Sequence, residues 1–342
     1  MRLAKVPRDR AEHLRKRIAV MGALRKDARI FEEGGAVLIP LKEGCDEGRI
    51  LGLAPDVEVV EGEASARPCY VSPQEQARAK LSLPRYLEGY LPQKWELLGD
   101  VLVLRIPPEI SGIRAQVAGA YAEVLGARTV CQERGIIAGV HRTPNLEVIW
   151  GGGTETVHCE NYILYKFDVA RVMFSSGNFP EKWRMSKLDC RGETVVDMFA
   201  GIGYFTLPLA VHAKAERVLA CEVNPVAFSY LRENVALNRV EDVVEPVLGD
   251  NRDLPGEGFA DRVLMGYVGT THQFLPKAFQ LVRPGGVIHY HETCPLDQWP
   301  ARPLRRIAEA AAGRRYEIGH RGEVKSFAPS VSHYVVDVLV RE

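Results

Sequence analysis

The feature that most constrains the fold is the alternation, from about residue 194 onward, of short apolar runs with segments long enough to form a helix. Buried β-strands separated by helices are typical of a parallel, doubly wound α/β sheet that is covered on both faces. An antiparallel edge is expected among the last two strands, near the C-terminus. The predicted strands span residues 194–198, 217–222, 243–248, 262–265, 287–291 and 334–340.

The length of the chain predicts several domains, because 342 residues exceed what one hydrophobic core usually organises. Ahead of the alternating pattern, a polar and turn-rich stretch with Pro68 and Pro73 indicates a linker. We therefore predict a small N-terminal domain over 1–62, a linker over 63–80, an α+β domain over 81–155 and a Rossmann-type domain over 156–342.

Composition and cysteine usage exclude several classes of protein. Apolar residues make up 46% of the chain and charged residues 26%, ordinary values that exclude disordered, collagen-like and coiled-coil chains. No apolar run reaches the roughly 18 residues of a membrane span, and the basic N-terminus lacks a signal-peptide core. Seven cysteines without a C-x-x-C pair indicate neither a disulfide framework nor a cysteine zinc site. We expect a cytoplasmic protein with no membrane partner.

Charge is distributed unevenly, although the 44 basic and 44 acidic residues cancel. Lys and Arg exceed Asp and Glu in residues 1–30 and again in 302–325, whereas acids dominate 31–67. Such clusters are usually solvated faces. The alternative is a discontinuous surface for a polyanion such as RNA.

A glycine turn after the first predicted strand indicates a nucleoside-binding site. Gly201 and Gly203 permit a tight turn close to a ligand, and Glu222 ends the next strand, where an acid can accept hydrogen bonds from ribose hydroxyls. Two details argue against NAD. Thr206 replaces the third glycine of the dinucleotide fingerprint, and the Asp197 carboxylate would repel a pyrophosphate but suits an ammonium group. A ligand with adenosine, an ammonium and a carboxylate is S-adenosylmethionine.

Other polar residues follow or lie within the later strands. Asp250 and Asn251 follow the third strand and can contact the adenine edge or the ribose, unless they only cap a turn. His272, His289 and His291 suggest a metal site, because the last two share one face of a strand. No carboxylate or cysteine spacing completes a ligand set. We therefore expect structural or substrate-orienting histidines and no metal.

Several motifs carry a family resemblance: FDVARVMFS at 167–175, EKWR at 181–184, DMFAGIGYF at 197–205, IHY at 288–290 and KSFAP at 325–329. With them the chain resembles class I S-adenosylmethionine enzymes that act on guanosine 37 of tRNA, namely a guanine-N1 methyltransferase and a wybutosine-synthesis aminocarboxypropyltransferase. The resemblance covers the whole chain, and the first 60 residues look like the small domain with which the methyltransferase checks tRNA shape. It implies a class I methyltransferase-like fold, S-adenosylmethionine as group donor, and a monomer that binds the anticodon stem-loop of tRNA(Phe).

Two departures distinguish between these enzymes. Where the methyltransferase has an Asn-x-Pro motif after its fourth strand, this chain reads MGYVGTTH at 265–272, and Gly177 replaces an Arg. Both resemble the aminocarboxypropyltransferase, which implies transfer of a 3-amino-3-carboxypropyl group to carbon 7 of 4-demethylwyosine. The sulfonium has three electrophilic carbons, and the one in line with the nucleophile reacts. A guanine-N1 methyltransferase and a non-catalytic tRNA-binding protein stay open as alternatives.

The resemblance also implies roles for single residues. Glu181 matches the proposed general base of the methyltransferase, and we place it with His272 in the catalytic set. Lys182 replaces a more usual Arg, keeping the charge without the bidentate fork. Gly266 and Tyr267 are expected to line the acceptor pocket, and Tyr267 or Trp183 to stack on the flipped base. The expected cofactor contacts are Ser175, Lys182, Asp197, Gly201, Gly203, Glu222, Asp250 and Asn251.

Overall fold

The structure, a computed structural model, describes residues 1–67, 71–135 and 144–341. The chain forms two compact units, Met1–Glu75 and Gln76–Glu342. Pro68 of the predicted linker, and Cys69 among the seven cysteines, lie outside the described residues. Among the helices of the described ranges, none is long and apolar enough to cross a membrane.

The N-terminal unit is a small antiparallel sheet with helices packed against it. Leu14 and Ile18, which lie one turn apart on the first helix, are buried in one core with Ile39 of the sheet. The elements are β1 (Arg2–Pro7), α1 (Ala11–Val20), β2 (Phe31–Glu33), β3 (Ala36–Pro40), α2 (Glu47–Leu51) and β4 (Glu58–Glu61). The strands pair in the order β2-β3-β1-β4.

Much of the charge asymmetry of this unit is neutralised inside it. Basic residues of the first ten positions pair with acids of the segment 31–67, as Arg2–Glu47, Lys5–Glu58, Arg8–Glu32 and Arg10–Asp56. These pairs are partly exposed, so each adds little to stability, but each compensates charge. Lys26 and Arg29 are exposed and stand outside these pairs.

The predicted linker over 63–80 contains a helix, α3 (Pro73–Lys80). The helix begins at a capping box, in which the Ser72 N–H donates to Glu75 Oε2 at 2.8 Å and the Glu75 N–H donates to Ser72 Oγ at 3.2 Å. Ala77 is fully buried. Polar composition and Pro73 had indicated a linker here, but proline is tolerated in the first turn of a helix.

The larger unit starts with an α+β layer. The elements are α4 (Arg85–Glu88), β5 (Trp95–Leu98), β6 (Val101–Leu104), α5 (Arg114–Leu125), β7 (Thr129–Glu133), β8 (Leu146–Trp150), β9 (Glu155–Glu160) and β10 (Ile163–Asp168). The sheet has the order β5-β6-β7-β8, and the crossover helix α5 allows β6 to run parallel to β7. A hairpin, β9 paired with β10, follows this sheet.

The remainder of this unit is a doubly wound sheet. Its elements are α6 (Phe179–Ser186), β11 (Thr194–Asp197), α7 (Thr206–Val211), β12 (Arg217–Glu222), α8 (Pro225–Leu237), β13 (Val244–Leu248), β14 (Ala260–Met265), α9 (Leu275–Leu281), β15 (Val282–Pro295), α10 (Ala301–Ala311), β16 (Tyr316–Ala328) and β17 (Val331–Val340). The strand order is β13-β12-β11-β14-β15-β17-β16. Pairs from β13 to β15 are parallel, and β17 is antiparallel to both neighbours. The predicted α/β fold is confirmed, including its antiparallel edge.

Hydrophobic clusters cover both faces of this sheet. Val195 belongs to one cluster and Val196 to the other, and Leu264 and Met265 divide in the same way. Because successive residues are buried on opposite faces, the parallel strands appear in the sequence as continuous apolar runs.

The strand β16 has no such signal in the sequence. It lies at the edge of the sheet, within a basic segment, and most of its residues are exposed. Its pairing with β17 also contains register shifts. An edge strand that buries little apolar surface lacks the alternation by which a strand is predicted.

Candidate active site

A cavity of about 480 Å³ lies at the carboxyl ends of β11, β12, β13 and β14. Sheets of this kind bind ligands at this edge, where the strand order reverses beside the first strand. The segment 172–178 and the antiparallel strands β16 and β17 complete the wall. Predicted site residues in the wall are Ser175, Gly201, Glu222, Asp250, Asn251, Gly266 and Tyr267. Predicted residues outside the wall are Glu181, Lys182, Asp197, Gly203 and His272.

Glu222 is fixed at the end of β12 by backbone donors. The Gly201 N–H donates to Glu222 Oε2 at 2.8 Å, and the Asn224 N–H donates to Oε1 at 2.7 Å. Gly201 has φ +58°, and a Cβ there would lie 2.7 Å from the Tyr204 ring, so this turn requires glycine. The carboxylate has further acceptor sites for hydroxyl groups of a ligand.

Asp197 and Gly203 shape the turn from beneath the cavity. Asp197 is fully buried and accepts hydrogen bonds from Thr206 Oγ1 at 2.8 Å and from the Phe199 N–H at 3.2 Å. Burial raises the pKa of Asp197 to about 6, although these hydrogen bonds oppose the shift. A Cβ on Gly203 would lie 2.8 Å from Leu207. The sequence predicts ligand contacts for both residues, but the Asp197 carboxylate is used within the turn, the backbone of Gly203 lies against Leu207, and neither residue lines the cavity.

Asp250 and Asn251 follow β13 and both lie in the wall. Arg252 donates from Nε to Asp250 Oδ1 at 2.9 Å, and this hydrogen bond lowers the pKa of Asp250. Asn251 Nδ2 donates to the Met198 carbonyl at 2.9 Å. Asn251 Oδ1 is buried and has no hydrogen-bond partner within the described ranges. An acceptor of this kind fits a ligand that brings an N–H donor, such as the amino group of adenine.

Ser175 begins a short turn that forms another part of the wall. The ammonium of Lys325, on β16, lies beside Gly177 of this turn. A Cβ on Gly177 would lie 3.1 Å from Lys325 Nζ, so the two positions share one space. Lys325 itself lines the cavity. The KSFAP motif contained this residue, but no local pattern pointed to its role.

Lys182 lies behind the wall, not in it. Its ammonium is buried, 2.5 Å from Glu160 Oε1 and 4.5 Å from the ring centre of Phe174. Burial lowers the pKa of Lys182, and the ion pair with Glu160 opposes this shift. The resemblance predicts a cofactor contact for Lys182. In the structure Phe174, which lines the cavity, separates the ammonium from it.

Glu181 is also absent from the wall, because its carboxylate is occupied by an arginine. Arg184 donates to it from Nε at 2.9 Å and from Nη2 at 2.7 Å, and from Nη1 to Asp337 at 2.7 Å. His289 Nδ1 lies 2.6 Å from Asp337. Although burial raises the pKa of Asp337, His289 and Arg184 together hold it well below its usual range. A general base in contact with the acceptor had been expected at Glu181, which does not reach the cavity.

The loop after β14 contributes Gly266 and Tyr267 to the wall. A Cβ on Gly266 would lie 2.5 Å from Phe205 Cε2, so the glycine is required by the Phe205 ring. Tyr267 stacks on Phe199 with ring centres 5.2 Å apart. His272, expected to be catalytic, lies off the cavity, and its Nδ1 has no partner among the residues described. Burial, aided by Arg306, lowers the pKa of His272.

The remaining aromatic and histidine candidates lie outside the cavity wall. Trp183 is half-exposed beside Phe179, with ring centres 6.1 Å apart, and stands outside the cavity wall. His291 contacts His333, which does line the cavity and which sequence reasoning had not singled out. In the described parts of the chain, no group of His, Cys, Asp and Glu side chains could hold a metal ion.

A doubly wound sheet, with a glycine turn after its first strand and an acid at the end of the second, defines the class I methyltransferase fold. Family models agree in detail. The TRM5/TYW2 methyltransferase domain matches residues 156–319, the TYW2 N-terminal domain 77–154 and the tRNA methyltransferase 5 N-terminal domain 5–49. The chain belongs to the TRM5/TYW2 family, as the sequence motifs indicated.

Individual relatives lie on both branches of this family. The tRNA(Phe) (4-demethylwyosine(37)-C(7)) aminocarboxypropyltransferase of Pyrococcus horikoshii is 45% identical over 260 residues, covering 75% of this chain and 93% of that protein. The tRNA (guanine(37)-N(1))-methyltransferase Trm5b of Pyrococcus abyssi is 36% identical and covers 98% of both chains. The crystal structure of P. horikoshii TYW2 in complex with MeSAdo is 42% identical, with a TM-score of 0.72, and covers 78% of this chain and 99% of that one.

Proposed function

We propose that this protein transfers the 3-amino-3-carboxypropyl group of S-adenosylmethionine to carbon 7 of 4-demethylwyosine at position 37 of tRNA(Phe). The P. horikoshii relative with this activity in its name is matched over nearly its whole length. The TYW2 N-terminal domain, matched at 77–154, supports the same branch of the family.

One observation of the cavity carries this proposal. The loop after β14 places Gly266 against the Phe205 ring, with no space for a side chain at position 266. The amide clamp of an Asn-x-Pro loop, which holds a planar nitrogen against the methyl group, is therefore replaced by an apolar surface. Such a surface does not favour the methyl group over the other carbons bonded to sulfur.

The polar groups of the wall suit S-adenosylmethionine. Glu222, already held by two backbone N–H groups, would accept hydrogen bonds from the ribose hydroxyls. The buried Asn251 Oδ1 would accept one from the adenine amino group. Lys325, beside Gly177, supplies positive charge for the methionine carboxylate.

The reaction joins carbon 7 of the base to the γ-carbon of the methionine moiety. The γ-carbon–sulfur bond breaks and its electron pair stays on sulfur, which leaves as neutral 5′-methylthioadenosine. Carbon 7 then loses its proton to restore the aromatic ring. The wall residues hold the two reactants in line for the displacement, which is the main contribution of positioning to catalysis.

The experiment uses two labels and two acceptors. Full-length protein is incubated with carboxyl-labelled or methyl-labelled S-adenosylmethionine and with tRNA(Phe) that carries either 4-demethylwyosine or unmodified guanosine. We expect only the carboxyl label to enter RNA, and only with the tricyclic base. Label that enters solely from the methyl position would overturn the proposal.

A guanine-N1 methyltransferase is the second candidate function. The Trm5b relative covers 98% of this chain, and the tRNA methyltransferase 5 N-terminal domain matches residues 5–49. Methyl transfer to the unmodified transcript in the same experiment would establish it.

According to this proposal, the protein binds the anticodon stem-loop of tRNA(Phe) as a monomer in the cytoplasm. The relatives' names supply the class of RNA. The six described cysteines are free, which suits a reducing compartment.

A further inference from the structure

The helix α6 carries an exposed aromatic pair beside the cavity. Phe179 and Trp183 lie one helical turn apart, are 41% and 43% exposed, and have ring centres 6.1 Å apart. One turn further along the chain, Lys187 places its Nζ 4.3 Å from the centre of the Trp183 ring. Residues at this spacing share one face of a helix, so the three side chains form a continuous stripe, which we call the α6 stripe.

The fold itself does not use the α6 stripe. The buried residues of the helix are Glu181, Lys182, Met185 and Ser186. Lys187 is exposed and forms no ion pair among the described residues, so its charge is not compensated. Single exposed apolar side chains are common on protein surfaces, but two aromatic rings in contact beside an uncompensated ammonium suit a flat and negatively charged partner.

The α6 stripe begins where the cavity wall ends. The segment 172–178 belongs to the wall, and Phe179 is the next residue of the chain. Lys325, which also lines the cavity, has its ammonium beside Gly177, only two residues before Phe179. Aromatic and basic side chains therefore continue from the wall onto the adjoining surface.

We propose that the α6 stripe stacks on a base of the anticodon loop next to position 37, while base 37 itself occupies the cavity. The inference rests on the proposed function. A base that leaves its stack exposes one face of each neighbour, and aromatic side chains of RNA-binding proteins cover such faces. Lys187 would contact a phosphate of the stacked nucleotide. Trp183 lies outside the cavity wall, so we assign it to a neighbouring base and not to the flipped base.

A single base fits the size of this surface better than a protein does. Between residues 172 and 191, Phe179 and Trp183 are the only large apolar side chains that are exposed. A stable protein interface buries about 1,200–2,000 Å², which two rings do not supply. Stacking of one base needs only the flat face of a ring and a nearby positive charge for the backbone.

The direct test measures binding of tRNA(Phe) that carries 4-demethylwyosine to full-length Trp183 variants. Trp183→Leu should weaken the affinity about 5- to 150-fold, which corresponds to the 1–3 kcal/mol of one base–aromatic stack. Trp183→Phe should keep most of the affinity, because it keeps an aromatic ring. Neither variant should change the calorimetric affinity for S-adenosylmethionine or the single-turnover rate at saturating tRNA, since neither alters the cavity wall.

The matched control is Tyr162→Leu, which removes an aromatic ring that is 89% exposed. The neighbouring Asn161 carbonyl lies 2.8 Å from Nε2 of His212, just past the end of α7 that is remote from the glycine turn. Tyr162 is thus exposed far from the cavity, and its replacement should leave the affinity for tRNA at the wild-type value.

Removing the base from the RNA identifies the nucleotide that is stacked. The wild type and Trp183→Leu are compared on tRNA(Phe) with an abasic nucleotide at position 36 or at position 38. With one of these RNAs the substitution should cause no further loss, because the stack is already absent. Lys187→Gln should reduce the slope of log K against log salt by about 0.7, the value for one phosphate contact on a single strand.

The outcomes separate this inference from the proposed function. If the wild type transfers no carboxyl label to the tricyclic base, the proposed function fails. If the wild type is active and Trp183→Leu binds tRNA as tightly, or loses the same factor on intact tRNA and on both abasic RNAs, the stacking assignment is overturned. A dimer that Trp183→Leu dissociates, with unchanged affinity for tRNA, would assign the stripe to a second copy of the chain and would also overturn it.

Discussion

At the scale of single residues, Glu222 is the side chain on which cofactor affinity should depend most. Glu222→Gln keeps an oxygen for one backbone N–H but removes the charge that strengthens the ribose contacts. We expect binding of S-adenosylmethionine to weaken by about 1.5–3 kcal/mol, the range for hydrogen bonds to charged groups. Calorimetry of this variant beside the exposed-site control Glu241→Gln measures the change. An unaltered Kd would mean that the ribose is bound elsewhere.

The packing of Gly266 against Phe205 makes a second prediction. A methyl group at position 266 would lie 2.5 Å from Phe205 Cε2, so Gly266→Ala must displace the ring. A misplacement of about 1 Å near the reacting atoms lowers a rate about 10²-fold, and we expect that loss in transfer with much less change in cofactor affinity. Phe205→Leu should relieve the collision, so the double variant should lose less than the single effects combined. Additive losses in a double-mutant cycle would contradict this packing.

The sequence predicts those residues of the cavity wall whose positions follow from local geometry. Gly201, Glu222, Asp250 and Asn251 could be predicted because the spacing of glycines and strand ends fixes where they lie. The inward orientation of Asp197 could not, because it depends on how Thr206 packs after the turn.

Other parts of the site arise from contacts between distant segments. His333 and Lys325 enter the wall from the antiparallel strands β17 and β16, whose register no local pattern fixes. Glu181 matches the proposed base of the methyltransferase by its place in the sequence. In the structure, however, its carboxylate pairs with Arg184, and Arg184 also binds Asp337, which lies more than 150 residues further along the chain. These contacts hold Glu181 away from the cavity.

At the scale of elements, an ion-pair cluster ties α10 to β15. Glu292 is fully buried and accepts hydrogen bonds from Arg302 Nε at 2.8 Å, from Arg306 and from Tyr290 Oη at 2.6 Å. Removing one partner of a buried pair leaves the other charges unpaired. Glu292→Gln should therefore lower the free energy of unfolding by about 3–5 kcal/mol.

The matched control is Glu309→Gln, which removes a carboxylate from the exposed pair with Arg305 on the same helix. An exposed pair contributes about 0–1 kcal/mol. Urea unfolding of both variants measures the difference, and equal stability of the two would contradict a structural role for the buried cluster. The cluster also shows that two arginines of the basic segment 302–325 serve the fold, and are not available as a separate RNA-binding surface.

Elements were predictable to the extent that they bury apolar surface. The parallel strands appear as apolar runs because they are covered on both faces, and their predicted positions agree with the structure to within a few residues, apart from the long β15. The helix α3 has a capping box but a mostly polar surface, and β16 lies exposed at an edge. Neither offers the hydrophobic periodicity that marks an element in a sequence.

At the scale of the whole molecule, the charge pattern predicts which lysine and arginine side chains contribute to RNA binding. Lys26 and Arg29 lie outside the ion pairs that compensate the basic residues of the first ten positions. Lys26→Gln and Arg29→Gln should each weaken tRNA binding and reduce the salt slope by about 0.7–0.9 per lost phosphate contact. Lys5→Gln should change the slope less, because Glu58 lies 2.9 Å from its ammonium. The test is to measure the tRNA-binding constant of each variant over a series of salt concentrations. Identical slopes of log K against log salt for all three variants would mean that this surface faces solvent.

The central claim is that the cavity presents the methionine γ-carbon, and not the methyl group, to the tRNA base. The most direct measurement identifies the nucleoside released in a single turnover with tRNA(Phe) that carries 4-demethylwyosine. We predict 5′-methylthioadenosine, in equal amount to the aminocarboxypropyl group gained by the RNA. Release of S-adenosylhomocysteine with a methylated base would contradict the claim.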